Sequence, residues 1–519
     1  MRYASLSPWK LIKPAPGVLA ALLWSGQALA QQQPLSVIDW VHRHSEPEPV
    51  VVTPLPDPGT APEARVPPEV DVTPLEQETW RTVGLVPARV TNLPRTLWTG
   101  SDPDALVRLI TRLPDLRVPA GQALLYRLLL TESFGPGNDL AARDSFTLAR
   151  AGALVRAGAL DPARALIEQA GATRDAAHFA AWLDVALLTG DEDLACDSLN
   201  SMPHLAPSAG HRIFCAVRGG DWRTAALLFD AGRAIGAVPP AQASLLERFL
   251  DPDLFEGDPA LAPPAVITPL LFRLHESVGE PLPTRFLPRA YAVADLRDLS
   301  GWKSQLEAAE RLARAGTLAD NQLLGLYTAR EPAASGGIWE RVTAVQAFET
   351  ALNAGDAATI SATLVKAWEA VRPAGLEVPF AELFADSLTT AELTPEAAGI
   401  ARTLGLLSAD YREDAQHPGT EPLYAALAAG QPGDPSGWPL SAMAISDAFA
   451  GNGVRTDLTA LAAREQLGEA LLRCLVLLEQ GAAGDPAALT GALATLRALG
   501  QEDTARRAAL QILLLDRYS

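Results

Sequence analysis

Three short turns decide the fold: residues 158–163 read Gly-Ala-Leu-Asp-Pro-Ala, residues 190–195 read Gly-Asp-Glu-Asp-Leu-Ala, and residues 220–225 read Gly-Asp-Trp-Arg-Thr-Ala. They begin 32 and 30 residues apart. Each turn joins a glycine, which favours a helix end, to polar residues that favour the start of the next helix. A unit of about 30 to 35 residues is typical of two antiparallel helices, so these turns predict a helical repeat.

Helical periodicity continues on both sides of these turns, from about residue 101 to the end of the chain. Apolar residues recur at intervals of three and four in segments such as 106–113, 179–186 and 360–371. Ser101, with Asp104 three residues later, predicts the start of the first helix. Long alternating runs typical of strands do not occur in the sequence. It therefore predicts an all-α protein, an α-solenoid of antiparallel helix pairs preceded by an extended proline-rich arm.

The proline distribution gives the predicted domain boundaries. Residues 46–74 contain nine prolines, and a segment that lacks so many N–H donors favours an extended, polyproline-like chain. A second proline-rich break follows residue 250. The predicted organisation is a signal peptide (1–30), a proline-rich arm and linker (31–100), an N-terminal helical repeat array (101–250), a linker or loop (251–269) and a C-terminal helical array (270–519).

Residues 140–235 resemble tetratricopeptide-type α-solenoid proteins. The resemblance lies in the repeat length and in the small residue that each turn places at the contact between paired helices. It implies stacked helix pairs that leave an extended face for another protein. The alternative interpretation is an irregular globular helical domain.

The first thirty residues have the features of a cleaved Sec signal peptide. Arg2, Lys10 and Lys13 precede a short apolar run at 17–24, and small residues at 28–30 form a cleavage site. An anchored N-terminal helix is the alternative, but the run is shorter than the roughly 20 residues that span a bilayer. We therefore expect a periplasmic or secreted protein, cleaved near Ala30, with no integral membrane segment after cleavage.

The net charge limits the possible partners. The chain carries 42 Lys and Arg against 61 Asp and Glu, a formal net charge of −19. No Lys- or Arg-rich run supplies the positive surface that phosphate backbones require. We therefore expect no nucleic-acid partner.

Two of the three cysteines are placed to form a disulfide. Cys196 and Cys215 lie in successive helical segments, and the midpoint between them falls in the turn. Positions equidistant from the turn lie at the same height in an antiparallel helix pair, so the sequence predicts a Cys196–Cys215 disulfide. Two unpaired buried thiols are the alternative. Cys474 has the spacing of a buried helix face and is expected in the core.

Candidate chemistry is sparse. Glu132-Ser133 resembles the Glu-Ser dipeptide of lytic transglycosylases, which implies a single glutamate acting as general acid and base. A glutamate at a helix end before a turn explains the same residues without function. His42 and His44 form the only close histidine pair, and a metal site there is not expected. The sequence predicts no catalytic residue, cofactor site or metal site.

These features together predict a non-catalytic, exported helical-repeat scaffold or adaptor that binds another cell-envelope protein. The sequence does not identify that partner. A peptidoglycan-active enzyme, or an activator of one, is the first alternative because of Glu132. A small-ligand receptor is the second.

Overall fold

A computed structural model describes residues 82–515, except residues 138, 298 and 333. These residues belong to one unit, which spans Leu75–Ser519. The predicted signal peptide, the predicted arm up to residue 81, and the pair His42 and His44 lie outside the described residues.

The described residues contain 25 α-helices and five short 3₁₀ helices. They contain no β-strand; two isolated bridges join Val83 to Ser133 and Val86 to Thr131. None of the described helices combines the length and the apolar character that crossing a bilayer requires. The prediction of an all-α fold built from neighbouring helix pairs is confirmed.

The helices are numbered in chain order. Before the predicted linker they are α1 (Ala88–Thr91), α2 (Pro103–Thr111), α3 (Pro119–Leu130), α4 (Leu140–Ala157), α5 (Leu160–Ala170), α6 (Ala176–Thr189), α7 (Asp193–Ser201), α8 (Ala209–Arg218), α9 (Trp222–Ala234) and α10 (Pro240–Leu250). The next eight are α11 (Pro269–Ser277), α12 (Ala292–Asp295), α13 (Trp302–Ala313), α14 (Asp320–Thr328), α15 (Ile338–Ala354), α16 (Ala357–Val371), α17 (Glu377–Leu388) and α18 (Pro395–Leu407). The last seven are α19 (Tyr411–Asp414), α20 (Pro422–Ala428), α21 (Leu440–Phe449), α22 (Thr456–Ala462), α23 (Leu467–Ala482), α24 (Pro486–Ala498) and α25 (Glu502–Leu514).

Local sequence accounts for many of the helix ends. Gly158 and Gly190 end α4 and α6 with φ angles of 91° and 85°, a left-handed conformation that glycine adopts at little cost. The predicted cap at Ser101 is wrong by one residue. Asp102 caps α2 instead, and its carboxylate accepts a hydrogen bond from the Ala105 N–H at 2.8 Å. The proline at 103 occupies the first helical position and so fixes the cap at the residue before it.

Apolar side chains form two buried clusters. The main cluster draws its residues from 93–294 and 406–512, and the second cluster is built almost entirely from 292–407. The helices on either side of the predicted linker at 251–269, α10 and α11, pack against each other within the main cluster. The main cluster therefore contains residues from both predicted arrays.

Residues 82–100, the end of the predicted arm and linker, take part in the fold. Leu97 and Trp98 are fully buried, and the Trp98 ring meets the Phe146 ring edge-on with centroids 5.2 Å apart. Gly468 lies so close to Trp98 that a Cβ there would come within 2.3 Å of the indole. The folded region thus begins before residue 100.

Helices from opposite ends of the described chain also pack together. α3 contacts α23 and α25, and the Ala120 N–H donates to Gln511 Oε1 at 2.8 Å. Arg127 Nη2 donates to Gln501 Oε1 at 2.7 Å in the same contact. In a strictly linear array each unit contacts only its neighbours, so the solenoid arrangement stays a prediction.

Candidate binding surface

A disulfide joins α7 and α8 in the tetratricopeptide-like region. Cys196 and Cys215 are both buried, with an S–S distance of 2.03 Å and Cα atoms 4.7 Å apart. Asn200 Nδ2 also donates to the Cys215 carbonyl at 3.0 Å. The predicted pairing is confirmed, because the two helices are antiparallel and the cysteines lie at the same height. The bridge holds the hairpin on which the next helix packs.

The turn that opens α7 is fixed by buried charges. Glu192 is completely buried, and its Oε1 accepts hydrogen bonds from Arg273 Nε and Nη2 at 3.1 and 2.9 Å. Arg273 Nη1 also donates to Glu276 at 3.0 Å. The sequence offers three consecutive acids at 191–193, and no local pattern indicates which one is buried. These contacts hold the disulfide-linked hairpin against α11.

Helix α9 is anchored through one face. Ala225 and Phe229 are buried on that face, and Asp221 caps the helix by accepting the Thr224 N–H at 3.0 Å. Gly232 lies against Val238, where a Cβ would come within 2.8 Å of a methyl group. α9 packs mainly against α8 and α10. Its orientation is therefore set without any contribution from its outer face.

The outer face of α9 carries an exposed apolar stripe. Leu227, Ala231, Ala234 and Ile235 follow the spacing i, i+4, i+7 and i+8, which places them along one side of a helix. All four are exposed, Leu227 at 65% and Ile235 at 78%. Such spacing usually faces a core or a partner, and here the core lies on the opposite face. We call these four residues the α9 stripe.

The α9 stripe was not predicted from the sequence, although its spacing is visible there. α9 has two apolar faces, and periodicity alone does not tell which one is buried. The small residues Ala225 and Gly232 sit on the buried face, where the backbones approach closely. That asymmetry is the signal that distinguishes the two faces.

Glu132, the candidate for enzymatic chemistry, follows the end of α3. Its Oε1 accepts hydrogen bonds from Arg95 Nη2 at 2.9 Å and from the Thr82 hydroxyl at 3.3 Å. The adjacent Ser133 hydroxyl donates to the Thr131 carbonyl at 3.1 Å. Glu132 is thus ion-paired with Arg95, and its neighbouring serine is engaged with backbone.

Cys474 lies in the core of α23, as predicted from its spacing. Burial raises the pKa of its thiol to about 12, so the thiol stays protonated and a poor nucleophile at neutral pH. Within residues 82–515, no group of three His, Cys, Asp or Glu side chains is arranged to hold a metal ion.

Residues 140–235 thus contain a disulfide-linked hairpin, a buried glutamate held by Arg273 of α11, and an exposed apolar stripe. The resemblance of this region to tetratricopeptide-type proteins rests on its own residues, namely the repeat length and the turns. No family model, curated protein or solved structure matches this chain.

Proposed function

We propose that the protein is a non-catalytic, exported helical-repeat scaffold that binds another protein of the cell envelope through the α9 stripe. The observation that carries the proposal is the exposure of Leu227 and Ile235, at 65% and 78%, on a helix whose other face is anchored. Exposed apolar residues in a continuous row mark protein contact sites more often than isolated ones do.

The composition of the stripe favours a helical partner. Ala231 and Ala234 lie between the two large side chains, and small residues let a second backbone approach closely. An amphipathic helix laid along this stripe would bury Leu227 and Ile235 in its own apolar face. The net charge of −19 makes two copies of this chain repel each other, which favours a different protein as the partner.

The cellular location is part of the proposal and rests on the sequence. Residues 1–30 have the pattern of a cleaved signal peptide, and disulfides persist in oxidising compartments such as the periplasm. The Cys196–Cys215 bridge is compatible with export. The solenoid arrangement of the helix pairs belongs to the same proposal, because stacked pairs leave one face free along the array.

The test is crosslinking from the stripe in the native host. A photo-reactive amino acid is placed at Ala231, the intact envelope is irradiated, and the tagged protein is purified under denaturing conditions for mass spectrometry. We expect one dominant protein partner. A probe at Leu440, which is 69% exposed on α21, is the matched control and is expected to give none.

The variant Leu227→Asp with Ile235→Asp adds charge to the stripe without touching the buried face of α9. We expect it to abolish the crosslink from position 231 while the protein keeps its thermal unfolding temperature. Retention of the same partner by the double variant, or capture of a second copy of this chain, would contradict the proposal.

A further inference from the structure

A cavity lined by arginines lies away from the α9 stripe. Its volume is about 540 Å³, within the range of small-molecule sites. Its walls come from the loop between α2 and α3, from α4, from the 3₁₀ helix Arg289–Tyr291, and from the end of α13. The charged residues in these walls are Asp115, Arg117, Arg156, Arg289, Arg311 and Arg314. We call this the arginine cavity.

The charge of this cavity is opposite to that of the protein. The chain has a formal net charge of −19, yet five arginines and a single carboxylate face this one space. Bringing like charges together costs free energy unless a counter-charge offsets it. In the walls of this cavity, the counter-charge to Arg156, Arg289 and Arg311 comes from Asp115.

Backbone carbonyls hold two of the arginines in place. Arg156 Nη2 donates to the Ile110 carbonyl at 2.7 Å. Arg311 donates through Nη1 to the Thr284 carbonyl at 3.0 Å and through Nη2 to the Leu287 carbonyl at 2.5 Å. Carbonyl oxygens satisfy N–H donors and orient the guanidinium groups, but they carry no net charge. These carbonyl groups therefore fix the positions of the Arg156 and Arg311 guanidinium groups but do not neutralise their charge.

The carboxylates near the cavity are weakly engaged with it. Asp115 Oδ2 lies 3.8 Å from Arg289 Nη2, and the Asp115 side chain is 79% exposed. Arg117 Nε lies 3.4 Å from Oε2 of Glu479, a buried carboxylate outside the cavity walls. The exposed Asp115–Arg289 pair, at 3.8 Å, contributes little. Asp115 thus offsets little of the positive charge of Arg156, Arg289 and Arg311.

The positive charges around the cavity also affect the pKa of Arg311. Burial lowers the pKa of Arg311, and the positive charges of Arg289 and Arg314 lower it further, while Asp115 acts in the opposite direction. A bound anion would relieve this repulsion. The polar lining extends past the charged residues, because Gln122 and Arg314 also line a neighbouring cavity of about 580 Å³.

We propose that the arginine cavity binds a small multivalent oxyanion, a molecule that carries at least two phosphate or carboxylate groups. The planar guanidinium matches both groups with paired hydrogen bonds. Several arginines from separate segments converge on the cavity, so a ligand with two or more anionic groups engages them together.

The dimensions favour a small ligand over a polymer. A polyanion such as a nucleic acid would place most of its charge outside the cavity, against a surface whose net charge is negative. A compact anion enters within about 8 Å of the arginines, where screening by physiological salt is incomplete. Anion binding in this cavity does not depend on the proposed protein partner.

The experiment is isothermal titration of the full, disulfide-intact protein with inorganic triphosphate, and separately with citrate, at physiological ionic strength. Sodium sulfate at matched ionic strength serves as the reference for non-specific anion effects. We expect saturable binding with one ligand per chain. Tighter binding of triphosphate identifies a phosphate-bearing ligand, and tighter binding of citrate identifies a polycarboxylate.

Two variants test the assignment to this cavity. Arg289→Gln and Arg117→Gln each remove one charge from the walls, and each is expected to weaken binding about tenfold because charge-assisted hydrogen bonds are lost. Arg117 is 53% exposed, and in Arg117→Gln the buried Glu479 keeps its hydrogen bonds from the backbone N–H groups of residues 117 and 118. Arg330→Gln makes the same charge change at an exposed site outside the cavity and is expected to leave the affinity unchanged.

Absence of saturable binding beyond the sulfate reference would overturn the proposal. Equal affinity in the wild-type protein, Arg289→Gln and Arg117→Gln would also overturn it, because binding would then lie elsewhere. Leu227→Asp is expected to bind the anion normally, so failure of the α9 partner proposal and failure of this one give different results.

Discussion

Two buried carboxylates, Glu310 beside the second cluster and Glu192 beside the main cluster, are satisfied in different ways. In the second cluster, Glu310 meets the Arg341 guanidinium in a two-pronged pair at 2.7 and 2.8 Å. The Tyr327 hydroxyl donates to the same carboxylate at 2.7 Å. Burial raises the pKa of Tyr327, so its hydroxyl keeps the proton that it donates. Both oxygens of Glu310 are thus engaged.

In the main cluster, Glu192 is engaged through one oxygen only. Its Oε1 accepts both hydrogen bonds from Arg273, whereas its Oε2 is buried with no hydrogen-bond partner. Arg273 is in turn shared with Glu276. Glu310 therefore belongs to one complete ion pair, whereas Glu192 belongs to an incomplete one in which Arg273 is shared.

The largest expected effect comes from breaking the complete pair. Glu310→Ala leaves the Arg341 guanidinium buried without a counter-charge, and we expect the free energy of unfolding to fall by about 3–5 kcal/mol. Glu192→Ala is expected to cost about 2 kcal/mol, because Arg273 keeps Glu276 as a partner. Urea-induced unfolding of both variants measures the difference.

Glu369→Ala, at an exposed position on α16, is the control and is expected to unfold like the wild-type protein. If Glu192→Ala proves as destabilising as Glu310→Ala, the contrast between the two carboxylates is wrong.

The next effect concerns the covalent link, which the structure shows only in the main cluster. Cys196→Ala with Cys215→Ala removes a bridge between residues 19 apart, and we expect a loss of about 3 kcal/mol. Reductant is expected to lower the unfolding temperature of the wild-type protein and to leave the double variant unchanged. Mass analysis without reductant should show the two cysteine peptides linked, and two alkylated thiols there would contradict the pairing.

The smallest expected effect is a pH dependence that both clusters share. Burial raises the pKa of Asp184 on α6 and of Asp320 on α14 from 3.8 to about 6, and the charge of Glu382 adds to the shift of Asp320. Because the folded pKa exceeds the unfolded one, the folded state binds more protons between about pH 4 and pH 6. Each group therefore destabilises the folded state as the pH rises through that window.

Asp184→Asn removes the cost of ionising this buried carboxyl. We expect the variant to raise the free energy of unfolding at pH 7.5 by about 1–3 kcal/mol and to leave it nearly unchanged at pH 4. Asp320→Asn, at a less enclosed position, is expected to show the same sign and a smaller gain. Chemical unfolding at the two pH values provides the measurement. A gain of equal size at both pH values would contradict the assignment to titration.

The features predicted correctly from the sequence are those that depend on the spacing of nearby residues. The 3.6-residue periodicity indicated the all-α class, and the symmetric placement of Cys196 and Cys215 about a turn indicated the disulfide. The glycines at 158 and 190 marked helix ends because few other residues adopt their backbone conformation. Each of these signals lies within one or two helices.

Features that depend on distant segments were not predictable in this way. The arginine cavity draws its walls from four segments between residues 115 and 315, and no pattern within any one of them indicates that they converge. The contact between α3 and α25 has no local signature either. The cap at Asp102 was missed for a different reason: Ser101 and Asp102 are both good capping residues, and the proline that follows Asp102 is the local signal that distinguishes them.

The contact between α3 and α25 has a consequence for how the chain reaches its folded state. Ala120 and Gln511 are 391 residues apart in sequence, so α3 leaves the ribosome long before its partner is made. Contacts of such high sequence separation form slowly, because closing a long loop costs entropy before the contact stabilises it. Until α25 packs against α3, one side of α3 stays uncovered, and exposed surface of this kind favours premature association with other chains.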